Sequence, residues 1–387
     1  MSGHAFLAPS SAHRWVLCPG SAAMEAAYPE QGDKPDAAEG TAAHWVVEQM
    51  LTGHTVALGA FAPNGVAITA EIWESAQVMY DDVTETLGPT WPSLIVIERP
   101  VRIPRVHAQL NYGTPDVRAW VDRPAEGRKT LYAWDFKHGH SYVDAFENWQ
   151  LIDYTAGLLS EANDFNGAAG LPAFSETNID VVLRVVQPRA YHPDGPVREW
   201  RTTADALRPY VFRLSMAAEE ATGDNPPCKP VASACEHCTA RHACTALQTA
   251  VYRGMDIAKR AQAAELSPAA LGLELRLLAE ATALIEARKS GLEEQAEAVI
   301  RNGQSVPHWT MQRGTAREVW EKPHAEVIAL GQMMGLDLRK PPEAITPTQA
   351  KAKGLPASLV SQYSIRPAGS MKLVLDDGSA ARKVFVK

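Results

Sequence analysis

The sequence predicts an α/β fold. The evidence is the apolar spacing of its helical segments, its four strand-like runs and the order in which these alternate. Helices are expected at residues 10–28, with a break at Pro19-Gly20, and at 37–52, 70–87 and 146–160. Strands are expected at residues 93–101, 113–122, 130–137 and 179–187, which are rich in Val and Ile or alternate apolar with polar residues. Helix, three strands, helix, strand is the order of an α/β core.

Further segments are expected after this core. Residues 221–230 are rich in Gly, Pro and Asn, which is typical of a loop. A long amphipathic helix is expected from Ser267-Pro268 to Asn302-Gly303, either packed on the core or used in oligomerisation. We therefore divide the chain into a domain of residues 1–250, a helical segment of residues 255–303 and a small α/β appendage of residues 304–387.

The composition limits the classes of function. The chain has 387 residues, 46% of them hydrophobic and 21% charged, as in soluble globular proteins. No signal peptide and no apolar run long enough to span a bilayer are recognised, so a cytoplasmic location without membrane contact is expected. The net charge of −8 argues against a surface that coats nucleic acid, but it leaves a local basic groove open.

Two carboxylates and a lysine form the most informative pattern. Asp116 follows Gly113-Thr-Pro, and Asp135 and Lys137 lie two residues apart on a predicted strand. They therefore share one face of the strand, while Trp134 and Phe136 point into the core. Hydrolysis of a phosphodiester requires a cation, and Mg²⁺ prefers carboxylate oxygens. The Asp-x-Lys tripeptide alone is also explained by a surface salt bridge.

Further polar residues surround this pattern along the chain. Gln150 and Tyr154 lie four residues apart on the next predicted helix, so they share a face. His44 lies on an early helix within Glu39-Gly-Thr-Ala-Ala-His44. Each has a simpler explanation. Glu48, four residues after His44, could pair with its ring, and Gln150 and Tyr154 could pack at the edge of the core with their polar ends at its rim. Their joint order and spacing favour a common site.

This order resembles the RecB-type branch of the PD-(D/E)XK nuclease superfamily over about residues 10–250. The resemblance implies a restriction-endonuclease-like core, a mixed sheet flanked by helices. It also implies Mg²⁺ or Mn²⁺ bound by His44, Asp116, Asp135 and the Phe136 carbonyl, with Lys137 catalytic and Gln150 and Tyr154 supporting the site. Segments near residues 9–20, 39–44 and 345–369 also resemble a phage-encoded family of domains of unknown function in this branch.

Five cysteines predict a second metal site. Cys235, Cys238 and Cys244 are closely spaced, which is typical of zinc or iron–sulfur ligands in a reducing compartment. From spacing alone, the fourth ligand is Cys228, His237, His242 or the distant Cys18. In AddB-type nucleases one cysteine precedes the core and three follow it, so the resemblance implies a 4Fe-4S cluster held by Cys18, Cys235, Cys238 and Cys244. Zinc remains the alternative, and Cys228 is left without a role.

The expected function is that of a metal-dependent DNA nuclease. An exonuclease in phage recombination or end processing is favoured, with an endonuclease and a catalytically idle protein that binds DNA or a recombination protein as alternatives. Basic and aromatic side chains are candidate nucleic-acid contacts. They are Arg99, Arg102, Arg105, Lys137, His138, His140, Arg184, Arg189, Arg198, Arg201, Trp134, Tyr142 and Trp149.

Overall fold

A mixed sheet organises the structure, a computed structural model. The strands are β1 (Ile95–Ile97), β2 (Val101–Arg102), β3 (Tyr112–Gly113), β4 (Val117–Arg123), β5 (Arg128–Phe136), β6 (Ile179–Val186) and β7 (Val197–Thr203). Five of them form the main sheet in the order β1-β4-β5-β6-β7, and β2 pairs with β3. In the main sheet β5 and β6 are parallel, and the other neighbours are antiparallel.

The structure describes residues 5–29, 35–169, 175–192, 195–258 and 266–311. The α-helices in this part are α1 (Ala12–Trp15), α2 (Gly20–Ala27), α3 (Pro35–Leu51), α4 (Ala70–Leu87), α5 (Trp149–Ala168), α6 (Arg208–Ala221), α7 (Ala232–Cys235), α8 (Thr245–Ala258) and α9 (Pro268–Arg301). No described helix is long and apolar enough to cross a bilayer.

The chain divides into two units, Met1–Asn302 with Asp377–Lys387, and Gly303–Asp376. The predicted long helix, α9, belongs to the first unit together with the sheet. Only residues 303–311 of the second unit are described. The predicted appendage of residues 304–387 therefore lies largely outside the described residues.

Strand alternation separates two apolar cores, one on each face of the sheet. Trp134 and Phe136 of β5 are buried on the face that also packs against α3 and α4. Leu131 and Ala133 are buried on the opposite face, together with residues of α1, α5 and α6. The prediction of a mixed sheet flanked by helices is confirmed at the level of an α/β fold, and Asp135 lies on the α5 face by the same alternation.

Several boundaries differ from the sequence prediction. The strand predicted at residues 93–101 ends at Ile97, because Glu98 adopts a left-handed backbone (φ 44°) and the next strand belongs to the other sheet. The strand predicted at residues 113–122 is likewise split, so Asp116 lies between β3 and β4 rather than within a strand. The Glu98 N–H donates to the Asp116 carbonyl oxygen (3.0 Å), which joins the two interruptions. Strand β7 and helices α6 and α8 were not predicted.

A buried polar pair anchors the chain segment that leads to Asp116. The Asn111 side-chain amide donates to both carboxyl oxygens of Asp153 on α5, at 3.1 and 3.0 Å. Asp153 is fully buried, and this burial raises its pKa to about 8 although the hydrogen bonds from Asn111 act in the opposite direction. Asp153 therefore holds a proton in the folded protein at neutral pH.

This raised pKa makes stability depend on pH. Between about pH 4 and pH 8 the unfolded chain ionises Asp153 while the folded chain keeps its proton, so stability falls as pH rises, by at most about 1.4 kcal/mol per unit. We expect Asp153→Asn to gain stability relative to the parent from pH 5 to pH 8 in urea unfolding. Asp164→Asn, at an exposed position of the same helix, is the control. Parallel curves for parent and Asp153→Asn would contradict the prediction.

Candidate functional site

Polar side chains gather beyond the carboxyl end of β5. Asp135 is the penultimate residue of β5, and Lys137 follows the strand. The Lys137 N–H donates to the Val186 carbonyl oxygen (2.9 Å), which extends the parallel ladder and fixes the backbone there. Helix α5 begins nearby at Trp149, with Asn148 as N-cap, and places Gln150 in its first turn.

A histidine and two carboxylates form the candidate metal centre. The His44 Nδ1 lies 3.4 Å from Asp116 Oδ1 and 3.8 Å from Glu98 Oε1. One ligand atom from each of these residues lies within 4.8 Å of the other two. The second oxygen of Asp116 accepts a hydrogen bond from the Phe136 N–H (2.6 Å). This geometry leaves a nitrogen and carboxylate oxygens facing a common point.

Sequence reasoning missed Glu98. It enters the site because the chain turns sharply after β1, and its positive φ is unusual for a residue other than glycine. Such strained backbone is often retained at functional sites. The sequence offers Pro100, two residues later, as the one signal that the strand could end early, because proline lacks the N–H that a central strand needs.

Asp135 forms a second group beside this centre. Its Oδ1 lies 3.0 Å from the Lys137 Nζ and accepts a hydrogen bond from the Gln150 amide (2.8 Å). The Lys137 Nζ also donates to the Gln150 carbonyl oxygen (3.1 Å), which closes a triangle. Asp135 is not a member of the 4.8 Å group. Its buried Oδ2 has no hydrogen-bond partner among the described residues, an arrangement that a cation would satisfy.

The charges of these groups depend on one another. Burial alone would lower the pKa of His44, but Asp116 and Glu98 outweigh it and raise the pKa to about 10. Burial favours a raised pKa for Asp116, yet His44 and Lys137 hold it below its usual value. Burial raises the pKa of Asp135, with Lys137 opposing it. Without a bound cation, His44 therefore carries the positive charge that the carboxylates require.

The remaining predicted residues lie close to this centre. Phe136 is buried, and its ring packs edge-on against His44 with 5.3 Å between centroids. Tyr154 is also buried. Burial raises its pKa well above the usual value, the charges of Asp116 and Asp135 add to this, and a hydrogen bond with Gln150 opposes it. Tyr154 therefore remains a neutral hydroxyl beside the site.

A polar cluster supports the site from α3. Glu39, in the same motif as His44, accepts a hydrogen bond from Arg189 (3.1 Å) and lies 3.7 Å from the His138 ring. His138 directly follows Lys137, so these contacts tie α3 to the end of β5. The alternative explanation of His44, an ion pair with Glu48, is not what the structure shows, because Asp116 and Glu98 are the carboxylates beside its ring.

All five cysteines line one cavity. They are Cys18, Cys228, Cys235, Cys238 and Cys244. The Lys229 N–H donates to the Cys18 sulfur (3.2 Å), so the N-terminal segment and the segment after the core meet here. Neither His237 nor His242 is among the described residues that line the cavity. The structure thus brings Cys18 to the three later cysteines, and it places Cys228 with them.

The donor set of this cavity suits a thiophilic metal. Burial, together with neighbouring thiols, raises the pKa of Cys228 to about 12 and that of Cys235 to about 11, so these thiols ionise only with a compensating cation. Among the described residues no three sulfurs lie within 4.8 Å of one another. The cavity has a volume of ≈ 20 Å³, which is room for about one water molecule or one ion. A 4Fe-4S cluster is larger, so its binding would require the cysteine side chains to move apart.

Most candidate nucleic-acid contacts are engaged within the fold. Trp134 is buried and donates to Asp82 (2.8 Å), so the expectation that it stacks on bases is wrong. Arg198 is also buried and donates to the Val143 carbonyl oxygen (3.0 Å), so it too is a structural residue. Ion pairs with carboxylates engage Arg105, Arg184, Arg189 and Arg201. Arg99, Arg102, His140 and Tyr142 are exposed, although Arg99 also lies 3.8 Å from Glu161.

A family model described as "Protein of unknown function (DUF2800)" matches residues 4–380. The chain belongs to this family. The match covers the residues of the candidate metal centre and those of the cysteine cavity, so both sites lie within the DUF2800 region. The description assigns no activity, so the side chains of the two sites are what indicates the function of this DUF2800 protein.

Gly20 tests whether the cysteine cavity needs the close approach of its two segments. A Cβ at this position would lie 2.7 Å from the Cys228 sulfur and 2.8 Å from the Pro226 carbonyl oxygen. We expect Gly20→Ala to lower the free energy of unfolding by about 1–3 kcal/mol, because backbone has to shift. Gly272→Ala is the control in urea unfolding, because a Cβ added at this helical position would have no neighbouring atom within 4 Å outside its own helix backbone. Equal stability of Gly20→Ala and parent would refute the close approach.

Proposed function

We propose that this protein is a metal-dependent DNA nuclease with a PD-(D/E)XK core. The observation that carries the proposal is the group of His44, Glu98 and Asp116 within 4.8 Å of one another, beside the Asp135–Lys137–Gln150 triangle. The connectivity supports it, since an antiparallel β4–β5 pair is followed by helix α5 and a parallel strand β6.

The donor set fits a hard divalent cation. Carboxylate oxygens suit Mg²⁺ and Mn²⁺, and the added imidazole favours Mn²⁺. His44, Glu98 and Asp116 would hold the ion, with the unpartnered Asp135 Oδ2 as a further donor. A bound cation supplies positive charge opposite the phosphate and lowers the pKa of water.

The protein's own side chains would position one another and stabilise the negative charge on the phosphate. Burial would lower the pKa of Lys137, but Asp135 and Asp116 outweigh it and raise the pKa, so the ammonium is retained at neutral pH. Its role is therefore to stabilise negative charge on the phosphate rather than to accept a proton. Gln150 holds both Lys137 and Asp135, and the neutral hydroxyl of Tyr154 lies beside them.

Degradation of linear DNA tests the activity. We expect cleavage with Mn²⁺ or Mg²⁺, and a loss of at least about 100-fold in rate for Asp135→Asn and for Lys137→Ala. Asp164→Asn and Lys289→Ala, at exposed positions, are the matched controls. Intact circular DNA beside degraded linear DNA identifies an exonuclease, and a cut circle an endonuclease. A parent that binds DNA without cutting it would instead support the idle, partner-binding alternative.

The pH dependence of Mn²⁺ binding tests the ligand set. Since the pKa of His44 is raised to about 10, the metal has to displace its proton at neutral pH. We expect affinity to rise with pH from 6 to 8, by at most about tenfold per unit, with proton release in calorimetry. In His44→Ala the slope becomes shallower. A slope that is the same in His44→Ala and parent would remove His44 from the ligand set.

For the cysteine cavity we propose a structural iron–sulfur cluster held by Cys18, Cys235, Cys238 and Cys244, with zinc as the alternative. Anaerobically purified parent is expected to be brown, with about four irons per chain. Cys18→Ser is expected to lose most of the iron, and Cys228→Ser to keep it. A colourless protein that contains zinc would reject the cluster. Loss of iron only in Cys228→Ser would reassign the ligand.

A further inference from the structure

We propose that a groove beside the candidate metal centre binds single-stranded nucleic acid. The choice of ligand rests on the proposed function, because the groove residues Arg99 and Arg118 lie one and two positions along the chain from Glu98 and Asp116 of the metal centre. It has a volume of ≈ 1160 Å³. Its lining includes Arg99, Arg118, Trp120, Lys129, Glu161 and Phe165.

The groove and the Asp135 side chain lie on the α5 face of the sheet. Arg118 and Trp120 of β4 pair with Ala133 and Leu131 of β5, which are buried on the α5 face, so both side chains lie on that face. Arg118 is two residues from Asp116, about 7 Å along an extended chain, and Lys129 is six residues from Asp135 on β5, about 20 Å. A polymer bound in the groove would therefore pass toward the cleavage site.

Helix α5 continues as a wall of both features. Gln150 and Tyr154 on its first half face the metal centre. Leu158, one turn beyond Tyr154, and Phe165 line the groove. Arg99 belongs to the groove and directly follows Glu98 of the metal centre. The two features thus adjoin at both the helix and the end of β1.

The chemistry of the groove suits an unpaired strand. The Phe165 side chain is 72% exposed, which offers a stacking face that only unpaired bases can use. The Arg99 side chain is 64% exposed and lies 3.8 Å from Glu161, whose carboxylate already binds the buried Arg118. Its guanidinium can therefore turn to a phosphate at low cost. An acidic peptide would use the cations but not the aromatic face.

Binding of a fluorescein-labelled dodecathymidylate to the full chain in EDTA tests this proposal by anisotropy. We expect Phe165→Ala to weaken binding about tenfold, and Arg99→Ala to weaken it and lower the salt slope by about 0.7. Matched controls are Phe212→Ala, on a side chain that is 67% exposed on α6, and Arg301→Ala, with a 66% exposed guanidinium paired with Glu297. Both controls are expected to bind as the parent does.

Three results would overturn the proposal that the groove binds nucleic acid. They are a parent that does not bind the oligonucleotide, groove variants that bind as their controls do, and polyglutamate that competes for binding as well as unlabelled oligonucleotide does. Equal losses on a hairpin duplex would overturn the single-strand assignment. Hydrolysis of bis(p-nitrophenyl) phosphate with Mn²⁺ separates this proposal from the nuclease itself. Groove variants that bind DNA poorly but retain this hydrolysis would support both the groove proposal and the nuclease proposal. Groove-dependent binding by a parent without hydrolysis supports the groove and refutes the nuclease.

Discussion

A half-buried and a buried carboxylate, Asp116 and Asp135, are the constraint on which the site depends. Asp116 and Asp135 are held near the end of β5, where burial and mutual repulsion both oppose their ionisation. The protein offsets this with two cations, since His44 lies beside Asp116 and Lys137 lies beside Asp135. A divalent ion that replaces the proton of His44 would satisfy the same charges more fully, so the resting arrangement is compatible with metal exchange.

The fold supplies these groups from separate parts of the chain. The parallel register of β5 and β6 fixes Asp135, helix α5 begins beside it, and the turn after β1 directs Glu98 to the same place. The buried Asn111–Asp153 pair ties the segment before Asp116 to α5. In the cysteine cavity, residues more than two hundred positions apart meet, as in the contact of Lys229 with Cys18. Closure of so long a loop has a large entropic cost, which a bound metal group would help to offset.

Local patterns predicted what depends on local periodicity. The shared face of Asp135 and Lys137 follows from strand alternation, and the helix over residues 70–87 has the expected bounds. Glu98 was not predicted because its place depends on a left-handed backbone that is stabilised by a contact with the distant Asp116. Strand alternation predicted that Trp134 points into the core, which leaves it no face for DNA. The burial of Arg198 was not predicted, because it depends on strand β7, which was not predicted either, and on a hydrogen bond to the distant Val143 carbonyl oxygen. The position of Cys228 beside Cys18 likewise depends on tertiary contacts.

Anomalous scattering from crystals soaked in MnCl₂ would test the central claim most directly. We expect a manganese peak bounded by the His44 imidazole and the carboxylates of Glu98 and Asp116, with the Asp135 oxygen turned toward it. A peak elsewhere on the surface, with the hydrogen-bonded His44–Asp116 pair intact, would contradict it.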